Sequence, residues 1–231
     1  MTRITAVGFD ADDTLWHNER FYRETEARFA DLLRPHCDPD TLLERLLAAE
    51  RRNLGHYGFG IKGFMLSMIE TAADVTGGDV PAPVLKGILE AGHEMLAHPV
   101  ELLPDAEAAI NALAGRYTLL LVTKGDLLDQ ERKVAASGLG DAFDGIEIVS
   151  DKSPAVYARV FAGHGGAASG VMAGNSMKSD VLPMIAAGGH GVFVPHDLGW
   201  VLEHAEPPEG DPRYHHIDTL AGLPPLVATL D

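Results

Sequence analysis

Four short polar clusters, each at the carboxyl end of an apolar run, limit the possible folds of this chain more than any other feature. Asp10, Asp12, Asp13 and Thr14 follow ITAVGF, and Thr123, Lys124, Gly125 and Asp126 follow YTLLLV. Lys152 follows GIEIVS, and Gly174, Asn175 and Ser176, with Asp180 close behind, follow SGVMA. Short apolar, β-branched runs bounded by polar residues are strands. When all of them carry their polar residues at the same end, they describe parallel strands delivering side chains to one edge of an open α/β sheet, where such folds bind ligands.

The rest of the chain fits that frame. From Pro104 onward, strand-like runs alternate with helical segments of about ten residues, the mark of βαβ crossovers. One of these helices is capped by Asp126, with Asp129 three residues on, and closes near Gly138; another starts at Ser153-Pro154. A helix is expected from about Asp180 to Ala187, then a GVFV strand and a loop-rich tail in which Trp200 packs onto the core. Between the first strand and Val100 the pattern is different. FYRETEARFADLLRPH, PDTLLERLLAAERRNL, KGFMLSMIETAADVTG and PAPVLKGILEAGHEMLAHP carry apolar residues at three- and four-residue spacing, as in Phe64, Met65, Met68, Ile69 and Ala72. Helices of this kind bury their stripes against one another. The expected fold is therefore α/β, a Rossmann-like parallel sheet core formed by residues 1–15 and 99–231, interrupted by an all-helical domain over residues 16–98.

Bulk properties narrow the partners. With 46% apolar and 23% charged residues among 231, the chain is of ordinary globular composition. No stretch approaches the ~20 apolar residues of a membrane span, and the amino terminus runs into a strand rather than a signal peptide. The single cysteine, Cys37, excludes an intrachain disulfide and suits a cytoplasmic location. A net charge of −16 with no basic stripe argues against nucleic acid. Any phosphate would have to be bound by local groups: a metal, a lysine and backbone N–H donors. The glycine pattern Gly58, Gly60, Gly63 matches a dinucleotide fingerprint in spacing, but without a preceding strand it reads as an inter-helix turn. The Gly163–Gly166 stretch reads as a connection.

As chemistry, Asp10 and Asp12 are two carboxylates that repel unless a cation lies between them or one is protonated. Asp10 can ligate Mg2+ and attack phosphorus, and Asp12 can act as general acid and base, while Thr14 fixes the turn. Taken alone, an acidic turn capping the next helix explains them equally well. Thr123 offers a hydroxyl, with the N–H groups of Lys124 and Gly125 at the start of a helix as anion donors. Lys152 can neutralise a transferring phosphoryl group. Asn175 and Asp180 can complete an oxygen ligand set for Mg2+, although helix capping alone would explain Asp180. The order of the clusters, each after its own strand, is what joins them.

In that order they resemble the four signature motifs of the haloacid dehalogenase (HAD) superfamily of hydrolases, over nearly the whole chain. FDADDTLW matches the first motif. LLLVTKGD with Gln130, Lys133 and SGL matches the second, DKSPAVY the lysine motif and AGNSMKSDVLPMIAAGGHGVFVP the fourth. The helical insertion stands where that family places its cap. The resemblance implies a mobile cap and Mg2+-dependent transfer of a phosphoryl group from a small-molecule phosphate ester to Asp10 and then to water. It gives Asp10 as nucleophile and ligand, and Asp12 as acid/base with its backbone carbonyl on the metal. Thr123 would bind phosphate, Lys152 would stabilise charge, and Asn175 and Asp180 would complete the metal site. One residue departs from the family pattern: Asn175 stands where an aspartate is usual.

Three alternatives stay open: a metal-independent 2-haloacid dehalogenase, a non-catalytic phosphate-binding relative, and a receiver-like phosphorylatable switch. Asp12 argues against the first, and the helical insertion against the last. Tyr22, His56, Tyr57, Phe59 and Lys62 are the candidates for substrate contact from the insertion. The tail histidines His196, His204, His215 and His216 show no metal-ligand spacing.

Overall fold

The computed structural model describes residues 3–231. Strand β1 (Ala6–Phe9) opens the sheet and leads into a helical block: α1 (Glu19–Leu33), α2 (Pro39–Tyr57), α3 (Ile61–Val75) and α4 (Ala82–Ala97). The chain then runs α5 (Ala106–Leu113), β2 (Thr118–Lys124), α6 (Leu127–Ser137), β3 (Gly145–Val149), α7 (Pro154–Phe161) and β4 (Gly170–Gly174). A π-helical turn, Met177–Val181, passes into α8 (Leu182–Ala186), and β5 (His190–Phe193), β6 (Tyr214–His216) and α9 (Leu223–Leu230) follow.

The six strands form one sheet in the order β3-β2-β1-β4-β5-β6, with every pairing parallel. Alternation along the central strands divides its two faces. Val7 and Phe9, Leu119 and Leu121, and Val171 and Ala173 share one core with residues of α5, α6 and α9. Ala6, Leu120, Val122 and Met172 share the other with Tyr157, Val160 and Phe161 of α7 and Met184 of α8. Gly8 makes the second face possible, because a Cβ there would stand 2.9 Å from Met172 Sδ and 3.0 Å from Phe161 Cζ. The chain crosses from β1 to β2 on one side, while β4 lies on the other, so the crevice beyond the carboxyl ends of β1 and β4 is the topological switch point.

The chain divides into two compact units, one running through Glu19 and resuming at Val100, the other Arg20–Pro99. The first boundary falls after the expected residue 15 because Trp16, 1% exposed, packs into the sheet core and bridges to Leu102. The helical unit has its own core, in which Phe29, Leu33, Leu42, Leu46, Phe64, Met68 and Ile88 are buried. Asp38 caps α2 by accepting from the N–H groups of Asp40 and Thr41 (3.1 and 3.2 Å), with Pro39 in the first turn. The Gly58–Gly60 segment joins α2 to α3 as an ordinary turn, with no strand before it. Cys37 is free and half-buried against this core. Among the described residues no helix is long and apolar enough to cross a membrane.

Two parts of the tail differ from the sequence expectation. β6 is a three-residue edge strand, YHH, without an apolar run to announce it. In α9, two prolines sit in the first turn, where a missing N–H costs nothing, and Leu223 and Val227 enter the core. Trp200, only half-buried, is outside that core; Leu220, Leu223 and Val227 seal the tail instead.

Candidate active site

Asp10 is the first residue beyond β1, tied to β4 by its N–H donating to Ala173 O at 2.9 Å. One carboxylate oxygen accepts from Lys152 Nζ, and the other accepts from Thr14 Oγ1 at 3.0 Å. Thr14 Oγ1 in turn accepts from the N–H of Asn175 (3.0 Å), which locks the turn after β1 to the end of β4. Lys152, three residues past β3, is 4% exposed and donates also to Asp180 Oδ1 at 2.6 Å. The remaining Asp180 oxygen accepts from the N–H of Ser176 at 2.9 Å. Gly174 permits this arrangement, since a Cβ there would lie 2.2 Å from Asp180 Oδ2.

Asp180 does not start a helix. The N-cap is Ser176, whose hydroxyl accepts from the N–H of Ser179 at 2.9 Å, and Asp180 lies inside the π-helical turn with its side chain folded back toward Lys152. The wider turn places that carboxylate within reach of the lysine, a geometry no helical periodicity reveals.

Two buried carboxylates share one ammonium here. Burial and the charge of Asp180 push the Asp10 carboxyl up to about 7, against the opposing pull of Lys152. Burial works against the Lys152 ammonium, but the two carboxylates outweigh it and raise its pKa. The site carries one negative charge more than it balances, which a bound cation would relieve.

Asp12 turns a different way. Its carboxylate accepts from Lys133 Nζ with both oxygens (2.8 and 2.9 Å), from Gln130 Nε2 (2.8 Å) and from Trp16 Nε1 (2.8 Å). Burial would raise its pKa, yet Lys133 and these hydrogen bonds hold it below the usual range. Lys133, 6% exposed, also donates to Asn18 Oδ1 at 3.0 Å and lies 3.4 Å from Asp129. Asp13, at φ 62°, accepts from the N–H groups of Asn18 and Glu19 and so caps α1. The capping reading of the acidic turn thus falls to Asp13, while Asp10 and Asp12 take their partners from elsewhere in the fold.

Thr123 Oγ1 donates to Gln130 Oε1 at 3.2 Å and is buried. Gly125, at φ 150°, lies against Gln130, whose Nε2 would stand 2.9 Å from an added Cβ. Helix α6 begins only at Leu127, capped by Asp126. The N–H groups of Lys124 and Gly125 therefore belong to the strand end and the turn, not to the helix start that the sequence suggested. The Lys124 ammonium donates to Ser179 Oγ at 2.7 Å and to Glu203 at 2.5 Å.

Among the described residues no group of three or more His, Cys, Asp or Glu side chains could hold a metal. Oxygen donors of mixed type nevertheless meet at one point. Hydrogen bonding sets the Asn175 amide with its nitrogen toward Asp10 Oδ2 (3.2 Å) and toward the backbone carbonyl of Asp12 (3.3 Å). Rotating that amide brings its oxygen to the same place, so one carboxylate, one carbonyl and one amide oxygen converge beside an uncompensated charge. Hard oxygen donors, with the remaining positions left for water, fit Mg2+. Both Asp180 oxygens are already taken, so it would join such a set through water.

The other residues proposed from sequence are dispersed. Tyr22 packs on Phe64 (ring centroids 5.0 Å apart), and Tyr57 donates to Glu70 at 2.8 Å, both within the helical unit. His56 and Lys62 are exposed and Phe59 is half-buried. His215 pairs with His190 (3.0 Å), His216 lies against Phe193 and His196 Nε2 is 3.7 Å from Asp13. Trp16, Ser179 and Glu203 went unnoticed in the sequence. Nothing in their spacing marks them, because each meets the site only through the fold.

A family model described as haloacid dehalogenase-like hydrolase matches residues 4–188. A haloacid dehalogenase-like family hydrolase from Xanthomonas campestris is 42% identical, with TM-score 0.88, and the match covers 100% of this chain and 95% of that one. The HAD-hydrolase YfnB from Bacillus subtilis, bound to magnesium, is 18% identical (TM-score 0.67; 98% and 99% of the two chains). The L-2-haloacid dehalogenase of Xanthobacter autotrophicus, with chloropropionic acid covalently bound, is also 18% identical (TM-score 0.64; 99% and 100%). The last two likenesses speak to fold alone. No curated protein matches the sequence.

Proposed function

The chain belongs to the haloacid dehalogenase-like hydrolases, and from that premise we propose that it is a Mg2+-dependent phosphatase acting on a small-molecule phosphate monoester through an aspartyl-phosphate. The observation that carries the reading is the second carboxylate, Asp12. Its backbone carbonyl is turned to the point where Asp10 and Asn175 meet, and its side chain is free of Asp10. Phosphoryl transfer needs a proton for the leaving alkoxide and a base for the attacking water. Halide departs unprotonated, so its displacement gives Asp12 no leaving group to protonate, although the ester it leaves must still be hydrolysed.

In the proposed reaction Asp10 attacks phosphorus, and Lys152 offsets charge on both the nucleophile and the transferring group. Thr123 Oγ1, at the end of β2, and the turn N–H groups of Lys124 and Gly125 hold the non-bridging oxygens. Asp12, once released from Lys133 and protonated from solvent, gives that proton to the departing oxygen and later takes one from the attacking water. That water attacks the phosphoryl-aspartate, which regenerates the Asp10 carboxylate and releases inorganic phosphate. Asp10, the Asp12 carbonyl and Asn175, with Asp180 through water, would hold Mg2+, which supplies charge neutralisation when bound. The helical unit would act as a cap selecting the alcohol part of the substrate, in a cytoplasmic enzyme.

A second reading has its own support. Asn175 satisfies Asp10 and the Asp12 carbonyl by hydrogen bonds alone, as a metal-independent 2-haloacid dehalogenase would require. Assays with p-nitrophenyl phosphate and with 2-chloropropionate, each with Mg2+ and with EDTA, separate the two. Phosphate release that EDTA abolishes supports the phosphatase, and chloride release that survives EDTA replaces it with the dehalogenase. Loss of phosphate release in a folded Asp10→Asn variant is expected; near-wild-type turnover there would place the nucleophile elsewhere.

A further inference from the structure

Glu203 comes from a short turn, Val201–Glu203, in the tail after β5, outside every motif. Its side chain is 15% exposed. One oxygen accepts from Lys124 Nζ and the other from the hydroxyls of Ser176 (2.6 Å) and Ser179 (2.5 Å). The same tail turn is bound a second time, by Lys178 Nζ donating to Leu202 O at 2.9 Å.

Three of these four partners, Ser176, Lys178 and Ser179, lie in the π-helical turn or cap it. That turn carries Asp180, which accepts from the Ser176 N–H and binds Lys152. Tyr157 of α7 also holds it, its hydroxyl donating to Ser179 O at 2.9 Å. Burial opposes a charge on Glu203, but Lys124 and the two serine hydroxyls overcome it and keep the carboxyl below its ordinary range. A half-buried carboxylate with both oxygens engaged is costly to move, and so makes a stiff tether.

We propose that Glu203 is a positioning residue of the catalytic centre: by gripping Ser176 and Ser179 it fixes the turn that presents Asp180 to Lys152, with Lys124 as its counter-ion. The inference rests on Asp10 and Lys152 being the reacting pair, whichever hydrolysis they perform. Its consequence falls on kcat. Lys152 does most where charge develops in the transition state, whereas Glu203 touches no substrate-binding atom other than through Lys124.

The test measures kcat and KM per folded molecule for Glu203→Ala, Ser176→Ala/Ser179→Ala and all three substitutions together. The folded fraction is read by near-ultraviolet circular dichroism. The reaction is whichever one the wild type catalyses, so failure of the phosphatase reading shows in the wild type and failure of this inference in the variants. Expected is a drop of about tenfold or more in kcat in Glu203→Ala, with KM changed less than about threefold. The serine pair should reproduce the loss, and combining the sets should add little to it. Glu203→Gln, whose amide oxygen can still accept from the serines, should recover part of kcat. Unchanged kcat in Glu203→Ala, whatever its melting temperature, would reduce Glu203 to a structural contact and overturn the proposal. So would losses that multiply in the combined variant, or a rise in KM alone.

Discussion

Replacing Lys152 by Met removes the one cation between two buried carboxylates, and the structure lets the consequence be worked out. The Lys152 and Asp180 side chains are each 1% exposed and that of Asp10 is 9% exposed, so water cannot take over the role of the ammonium. Removing one partner of a buried ion pair costs ~3–5 kcal/mol. For a chain of this length that corresponds to roughly 6–20 °C in melting temperature. The pH dependence has a defined sign. Asp10 is already raised from 3.8 to about 7 in the wild type. Its contribution to stability is therefore fully present below about 4 and is lost as pH rises through about 7. Without Lys152 the Asp10 carboxyl loses the pull that opposes burial and rises further, so the penalty in the variant is largest near pH 8 and shrinks on acidification. Melting of EDTA-treated wild type and Lys152→Met from pH 5 to 8 reads this directly. Adding Asp10→Asn to Lys152→Met should restore part of the loss at pH 8, because it removes one of the stranded charges. A Lys152→Met protein within about 1 kcal/mol of wild type at pH 8, or a penalty that grows on acidification, would refute the reasoning.

Other outcomes follow from the same geometry. Asn175→Asp should tighten Mg2+ binding, measured by calorimetric titration, while lowering metal-free stability at pH 8 by adding a third carboxylate; a large loss of affinity would show that the amide N–H is the group in use. Gly174→Ala should force Asp180 off its contact, because the new Cβ would lie 2.2 Å from Asp180 Oδ2; activity should fall steeply, with ~1–3 kcal/mol of stability lost to overpacking. His190 and His215, stacked and 3.0 Å apart, both have lowered pKa values, from burial first and then from Arg213 for His190 and from His190 for His215. Their contribution is present above about 6.5 and is lost as pH falls through their lower folded values. Urea midpoints from pH 5 to 8 should show a small acid-side loss that His190→Phe flattens; an unchanged profile in that variant would remove the pair as its source.

Much of the candidate site was legible because its residues cluster near the carboxyl ends of strands in one parallel sheet. Asp10, Thr123, Lys152 and Asn175 each stand within a few residues of the end of a strand, and parallel pairing brings strand ends together without further information. The helical insertion was equally readable, since its stripes repeat at 3.6 residues. Asp180 was expected as a metal ligand near the start of a helix, and its place inside a π-helical turn was not legible, because periodicity carries no sign of such a turn. The N–H groups of Lys124 and Gly125 precede the Asp126 cap and so belong to the strand end and the turn rather than to the helix start. β6 and α9 escaped notice because a three-residue edge strand and a proline-rich first turn lack the usual signals.

The sequence by itself determined which side chains stand at the carboxyl edge of the sheet, because that depends on local alternation and on the direction of parallel strands. Only the tertiary structure decided their pairing. Lys133 and Trp16 were assigned to Asp12, both Asp10 and Asp180 to Lys152, and Glu203 to the turn beneath them. Buried charges choose partners by distance and desolvation across the packed fold, and neither quantity is encoded in spacing along the chain.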